Sequence, residues 1–206
     1  MADEALASRM LLDALIHGAR EHALFLDVDG TLLDIASSPD AVWVPDALPA
    51  LLVGLTRHLN GALALLSGRQ ISELDHFFTP VRAAAAGAHG AQFRLAGAAV
   101  SHDTAHDLPS GLRQSLAALA GRADGLLFED KGSSVALHFR KAPDQEQSLR
   151  NQIESLLDDE RESSQIRPEL LGGKMLFEIK SAGFNKGTAL DQFMAHAPFA
   201  SRKPVV

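Results

Sequence analysis

Three short apolar runs, each broken off by a polar cluster, constrain the architecture more than any other feature of the chain. Ala23-Leu24-Phe25-Leu26 stops at Asp27-Val28-Asp29-Gly30-Thr31, Ala62-Leu63-Ala64-Leu65-Leu66 stops at Ser67-Gly68-Arg69, and the small-residue run 82–86 stops at Gly87-Ala88-His89-Gly90. Four or five apolar residues without polar alternation suit a strand buried on both faces of a parallel sheet. Between the runs, Asp46 is expected to cap a helix ending near Asn60-Gly61, and a second helix is expected over 70–78. Strand, helix, strand, helix, strand is the order of an α/β fold with a Rossmann-like parallel sheet. Ligands of such sheets bind beyond the carboxyl ends of the strands, so the clusters at 27–31, 67–69 and 87–90 are expected to converge. Ahead of them, Leu6, Met10, Leu11, Ala14 and Leu15 fall at helical spacing, which predicts an amphipathic helix over 3–20.

From about residue 105 the rhythm changes. A helix at 108–121 precedes strand-like runs at 125–130 and 134–140, joined by Lys131-Gly132-Ser133. A helix at 143–159 precedes runs at 165–171 and 174–180, joined through Gly172-Gly173, and a further helix is expected over 186–195. The excursion reads as an αββαββ insert with its own antiparallel sheet, an α+β cap domain. The expected division is a core of residues 1–104 and 183–206 and a cap of residues 105–182. The last residues, Pro204-Val205-Val206, read as the start of another buried strand.

A hydrophobic content of 46% in 206 residues is enough for a real core, so global disorder is not expected. The net charge of −7 disfavours nucleic acid and anionic membranes as partners. An anionic ligand must then be held by a local group of cations. The absence of cysteine excludes thiolate metal sites and thiol nucleophiles. The N-terminal residues carry early acids rather than the basic start of a signal peptide, and no apolar run approaches the ~18 residues of a membrane span. A cytoplasmic, monomeric protein acting on a small molecule is expected.

Asp27-Val28-Asp29-Gly30-Thr31 is the strongest chemical signal. Two acids together are common, but here they follow a buried strand, Gly30 permits a sharp backbone path, and Thr31 adds a hydroxyl. The pattern suits hydrolysis of a phosphate monoester. Asp27 must be ionised to attack phosphorus and form an acyl phosphate. Asp29 must protonate the leaving alcohol and then activate water. Environment must therefore separate two chemically equal carboxyls. Rate accelerations for such esters approach about 10²¹-fold, more than two acids can supply. Ser67, at the end of the second strand, can hydrogen-bond a phosphoryl oxygen. Lys186, in Asn185-Lys186-Gly187, opens a helix and can neutralise phosphoryl charge.

Together these residues resemble the haloacid dehalogenase superfamily of phosphatases, with FLDVDGTL, the serine of LLSGR and the lysine of NKG as its first three motifs. The match is closer than the superfamily: LDVDGTLLDI, LLSGRQ, GAHG, FEDKGSSVALHFR, GGKMLFEIK and NKGTAL look like the trehalose-6-phosphate phosphatase family, over roughly residues 22–195. The resemblance implies a mobile cap on a Rossmann-like core, trehalose 6-phosphate as substrate, and a place in trehalose biosynthesis. It implies Asp27 as nucleophile, Asp29 as acid and base, and Mg²⁺ held by the Asp27 side chain and the Asp29 carbonyl. Thr31, Ser67 and Lys186 would hold the phosphoryl group. Arg69 and His89 would lie near the mouth of the site. Glu129, Lys131, Lys174 and Glu178 would grip the sugar. Carboxylates accept from hydroxyl pairs and ammonium groups donate to them. With residues 174, 176 and 178 on one strand, Lys174 and Glu178 are expected on one face.

Two departures stand out. Ser181 follows Glu178-Ile179-Lys180 where the family usually has proline. The family's fourth motif, an acidic G-D-D cluster that supplies the remaining Mg²⁺ carboxylate, is not reached before Val206. A core truncated before that motif is expected to bind metal poorly, to expose an apolar sheet edge, and to turn over little. A phosphatase for another sugar phosphate, or a silent sugar-phosphate-binding domain, are the competing expectations. His102 and His106 are four apart but read as a loop, and the acidic run at 157–162 reads as an exposed helix end. His138 and Arg140 alternate with Leu137 and Phe139, so one face of that strand is polar and the two residues are either structural or adjacent to substrate.

Overall fold

In the computed structural model, residues 13, 16–35, 42–102, 107–163 and 167–206 are described, and the expected helix over 3–20 lies mostly outside them. The chain divides into two compact units, Met1–His102 with Asn185–Val206, and Asp103–Phe184.

The core unit is built on a six-stranded sheet of β1 (His22–Asp27), β2 (Leu63–Leu66), β3 (Ala84–Gly87), β4 (Gln92–Arg94), β5 (Ser101–His102) and β10 (Lys203–Val205), in the order β10-β1-β2-β3-β4-β5. The pairs β10-β1, β1-β2 and β2-β3 are parallel, whereas β3-β4 and β4-β5 are antiparallel. Alternate residues of the central strands face opposite layers. Leu24, Leu63, Leu65, Ala83 and Ala85 pack with Leu48 and Leu52 of α1 (Leu48–His58) and Ile71 and Leu74 of α2 (Ile71–Phe77). Ala23, Phe25, Ala64, Leu66, Ala84 and Ala86 pack with Ala189 and Phe193 of α5 (Lys186–Met194). Burial on both faces is why these strands carry no polar residue between their first and last positions. Phe193 anchors its layer, with ring centroids 4.4 Å from Phe93 and 5.0 Å from Phe199.

The second unit holds α3 (Ser110–Ala120), β6 (Leu127–Asp130), β7 (Ser134–His138), α4 (Glu146–Ser163), β8 (Pro168–Gly173) and β9 (Leu176–Ser181). Its antiparallel sheet runs β6-β7-β9-β8. Leu112, Leu116 and Leu119 of α3 and Leu149, Ile153 and Leu157 of α4 pack on Val135, Leu137, Phe177 and Ile179. That face of the sheet is apolar. The other face carries Glu129, Ser134, His138, Glu169, Glu178 and Lys180, interspersed with Leu127, Ala136, Leu171 and Leu176, so it is largely polar.

Three local expectations differ from the structure. Asp46 does not cap α1: the N-cap is Ala47, with no side-chain cap, and a proline occupies the first turn. Strands β4 and β5 extend the core sheet beyond residue 90, where no strand was anticipated. Gly172 and Gly173 remain paired in β8, and the hairpin turns at Lys174-Met175 instead, with Met175 at φ 63°. Lys174 is thus an exposed turn residue and does not share a strand face with Glu178. Among the described residues no helix is long and apolar enough to cross a membrane.

Arg94, 2% exposed, bolts β4 to α2 through paired bonds of 2.6 and 2.7 Å to Asp75, and it also donates to Ala83 O at 3.0 Å. Removing Arg94 leaves the partly exposed Asp75 with the looser 3.6 Å contact to Arg82, empties a buried site and takes two donors from Ala83 O. We expect Arg94→Ala to destabilise the core unit by about 3 kcal/mol, seen as a lower urea midpoint by circular dichroism. An unchanged midpoint would show that the pair contributes nothing net.

Candidate active site

Each candidate residue of the core sits where a buried element ends. Asp27 is the last residue of β1, in register with Leu66 of β2, and Ser67 follows that partner directly. The turn after β1 is closed by Gly30 N donating to Leu33 O at 2.7 Å and by Leu32 and Leu33 N donating to Val28 O at 2.9 Å. Gly30 takes φ +85° there, a conformation that side chains resist. Lys186 opens α5, whose N-cap Asn185 accepts from Thr188 N and completes a capping box with it.

The loops meet at Asp27. Lys186 Nζ lies 2.6 Å from Asp27 Oδ1, and Val28 N donates to the same oxygen at 2.7 Å. Asp27 Oδ2 has no polar partner among the described residues. Ser67 is buried; its Oγ accepts from Arg69 N at 3.1 Å, which leaves its proton for another oxygen. Thr31 is exposed.

Asp29 is held differently. Arg69 grips it with Nε 3.0 Å from both carboxylate oxygens and Nη2 2.8 Å from Oδ1, while Arg69 Nη1 reaches Glu73 at 3.4 Å. The guanidinium also lies 5.0 Å from the centroid of the Phe77 ring. Partial burial works against the Arg69 charge, but the hydrogen bond and the charge of Asp29, aided by Glu73, outweigh it and raise the pKa above the usual arginine value. Arg69, expected near the mouth of the site and in contact with substrate, is paired with Asp29.

His89 belongs to a strained loop. Ala88 and His89 both take left-handed φ, 49° and 57°. The strain is held by Ala88 N donating to Arg69 O at 2.7 Å and His89 N donating to Ser67 O at 3.1 Å. The 67–69 and 87–90 clusters are therefore stitched together through their backbones. Gln92, which the sequence did not single out, adds to this by accepting from Ile71 N at 2.8 Å.

Of the remaining candidates, Glu129 and Glu178 lie on the polar face of the second unit's sheet, Lys131 reaches it from the β6-β7 turn, and Lys174 stays in the β8-β9 turn. Ser134 Oγ donates to Glu178 Oε1 at 2.8 Å, and Lys131 Nζ lies 3.7 Å from the same oxygen. Glu129 Oε2 lies 2.9 Å from His138 Nε2. Lys180, also not singled out, is buried; it pairs with Glu169 at 3.1 Å and donates to Phe184 O at 2.7 Å. Its signal was the alternation of Leu176, Glu178 and Lys180 along one strand face.

A parallel sheet with an acidic turn at the end of one strand, a lysine opening a later helix and an inserted αββαββ unit defines a class: the fold is that of the haloacid dehalogenase superfamily. The C-terminal domain of Candida albicans trehalose-6-phosphate phosphatase superposes with a TM-score of 0.74 at 21% identity, covering 95% of this chain and 69% of that one, and speaks for the fold alone. The family model described as trehalose-phosphatase matches residues 25–206, and the chain belongs to that family. It is 41% identical over 207 residues to the "Probable trehalose-phosphate phosphatase" of Sinorhizobium fredii, covering 99% of this chain and 76% of that protein. It is 37% identical over 188 residues to the trehalose-6-phosphate phosphatase of Escherichia coli, covering 90% and 68%.

Gly90 offers a test of how the site is assembled. It takes φ +108°, and a Cβ there would meet Asn185 O at 3.0 Å. Gly97, at φ +76°, has nothing within 4 Å. Gly90→Ala is expected to cost about 1–3 kcal/mol, more than Gly97→Ala, where backbone strain acts without the collision. Equal losses in thermal unfolding would show that the Gly90–Asn185 approach does not matter.

Proposed function

We propose that this chain hydrolyses trehalose 6-phosphate to trehalose and phosphate through an aspartyl phosphate on Asp27. The observation that carries the reading is the 2.6 Å pair of Asp27 and Lys186. It supplies a carboxylate nucleophile and a cation for the phosphoryl oxygens at one point.

In the first step a carboxylate oxygen of Asp27 bonds to phosphorus while the bond to the sugar oxygen breaks. The leaving oxygen takes a proton from Asp29. In the second step Asp29 takes a proton from water, the water oxygen bonds to phosphorus, and the bond to Asp27 breaks. Phosphate leaves and both carboxyls return to their starting forms. The grip of Arg69 suits an ionised Asp29, the form the second step requires. Ser67 and Thr31 donate hydroxyl protons to phosphoryl oxygens, and Lys186 balances their charge.

Haloacid dehalogenase phosphatases generally use Mg²⁺. Among the described residues no three ligating side chains cluster. The all-oxygen donors of the Asp27 side chain, whose Oδ2 has no polar partner among the described residues, and of the Asp29 carbonyl would suit a hard cation such as Mg²⁺. Bound there, Mg²⁺ would neutralise phosphoryl charge beside the nucleophile. In the second unit, Glu129, Lys131 and Glu178 read sugar hydroxyls, with Lys174 contributing from the turn. A cytoplasmic location belongs to the same proposal.

Asp27→Asn is expected to lower turnover at least about 10³-fold with an unchanged circular dichroism spectrum, and chelation followed by Mg²⁺ should remove and restore wild-type turnover. Across a panel of sugar phosphates, kcat/KM should be highest for trehalose 6-phosphate. Near-normal turnover by Asp27→Asn would end the covalent mechanism, and a flat panel would end the substrate assignment.

A further inference from the structure

We infer that His138 is a positioning residue for Glu129, fixing the carboxylate that reads the sugar. The inference rests on the proposed role of Glu129 and adds a residue to it. Strands β6 and β7 pair Glu129 with Ala136 and Leu127 with His138, so Glu129 and His138 are diagonal neighbours on the polar face of the sheet. The side chains are 41% and 26% exposed, and the 2.9 Å contact between Nε2 and Oε2 is the one polar contact of Glu129 among the described residues.

The chemistry gives the contact a direction. An ionised carboxylate only accepts, so Nε2 must donate. One oxygen of Glu129 is thereby occupied and the torsion of the carboxylate is restrained. The other, Oε1, keeps its capacity to accept from a hydroxyl. Without the imidazole, a glutamate on an open sheet face samples several rotamers, and binding must then restrain it at the expense of affinity. Glu178 is held in the same manner by other groups, Ser134 Oγ and Lys131 Nζ. Glu129 and Glu178 thus each have a donor of their own, as does Glu169, which pairs with Lys180 on the same face. A carboxylate fixed on one oxygen accepts in a defined direction, which is what discriminating one arrangement of hydroxyls requires.

The test compares trehalose 6-phosphate with 4-nitrophenyl phosphate, which has no sugar to read. The readout is the ratio of kcat/KM values on the two substrates. His138→Phe, which keeps ring volume and removes the donor, is expected to lower the ratio about 10-fold, chiefly through KM on the sugar ester. His138→Gln, whose amide can donate to Glu129, should stay within about 3-fold of wild type. In a Glu129→Ala background, His138→Phe should change the ratio less than about 2-fold, because its target is gone. Should His138→Phe not fold, His138→Leu takes its place in the same comparison. Equal losses on both substrates, or losses that multiply in the double variant, overturn the inference while leaving Glu129 as a sugar reader. A ratio unchanged in Glu129→Ala alone removes the reading of Glu129 itself, and the role of His138 goes with it.

Discussion

The contact between Lys186 and Asp27 is the constraint around which the core unit is arranged. It joins the carboxyl end of the first strand to the amino end of a helix reached only after the whole inserted unit. For the ammonium to arrive, α5 must lie on the correct face of the sheet, and Phe193 and Ala189 seat it there against Phe25, Leu66 and Ala86. Its first turn must also start at the right residue, and the Asn185–Thr188 capping box sets that start. The approach of Gly90 to Asn185 brings the third loop to the same place. Packing, capping and loop geometry each determine one coordinate of a single ion pair.

The second unit answers a different requirement with a different device. Its sheet is two-faced, with Val135, Leu137, Phe177 and Ile179 packed under helices, and Glu129, Ser134, His138, Glu169, Glu178 and Lys180 among a few small or aliphatic residues on the other side. Antiparallel pairing permits this asymmetry, whereas the doubly covered parallel strands of the core do not. Charge chemistry in the core is therefore confined to strand ends. In the inserted unit it runs along the strands themselves, where residues two apart and residues across a pair can act together.

That contrast also explains what could be read in advance. The core strands β1, β2 and β3 were legible because burial on both faces leaves an uninterrupted apolar run. The polar cluster after each run then marks the site. Strands β4 and β5 are short and mixed in composition, and their pairing depends on β3 rather than on any signal of their own. Lys174 was placed on a strand because two glycines read as a turn; pairing across β8 and β9 instead keeps the glycines in the ladder and turns at Lys174-Met175. The role of Arg69 was hidden because its partner, Asp29, lies on another loop. Ser134 and Lys180 carry no signal of their own for the same reason, since their contacts are with cross-strand neighbours that only the register reveals.

The position of Lys186 at the first residue of α5 has a consequence for catalysis as a cycle. A cation there faces the positive end of the peptide dipoles, an arrangement that on its own is unfavourable. Asp27 relieves it, yet in the proposed mechanism Asp27 is also the group whose charge is spent when phosphorus is captured. The helix start would then have the phosphorylated aspartate beside it, and the incoming phosphoryl oxygens would become its counter-charge. The attraction that would draw the ester in is also the one that released orthophosphate must escape, so the field that favours entry resists exit.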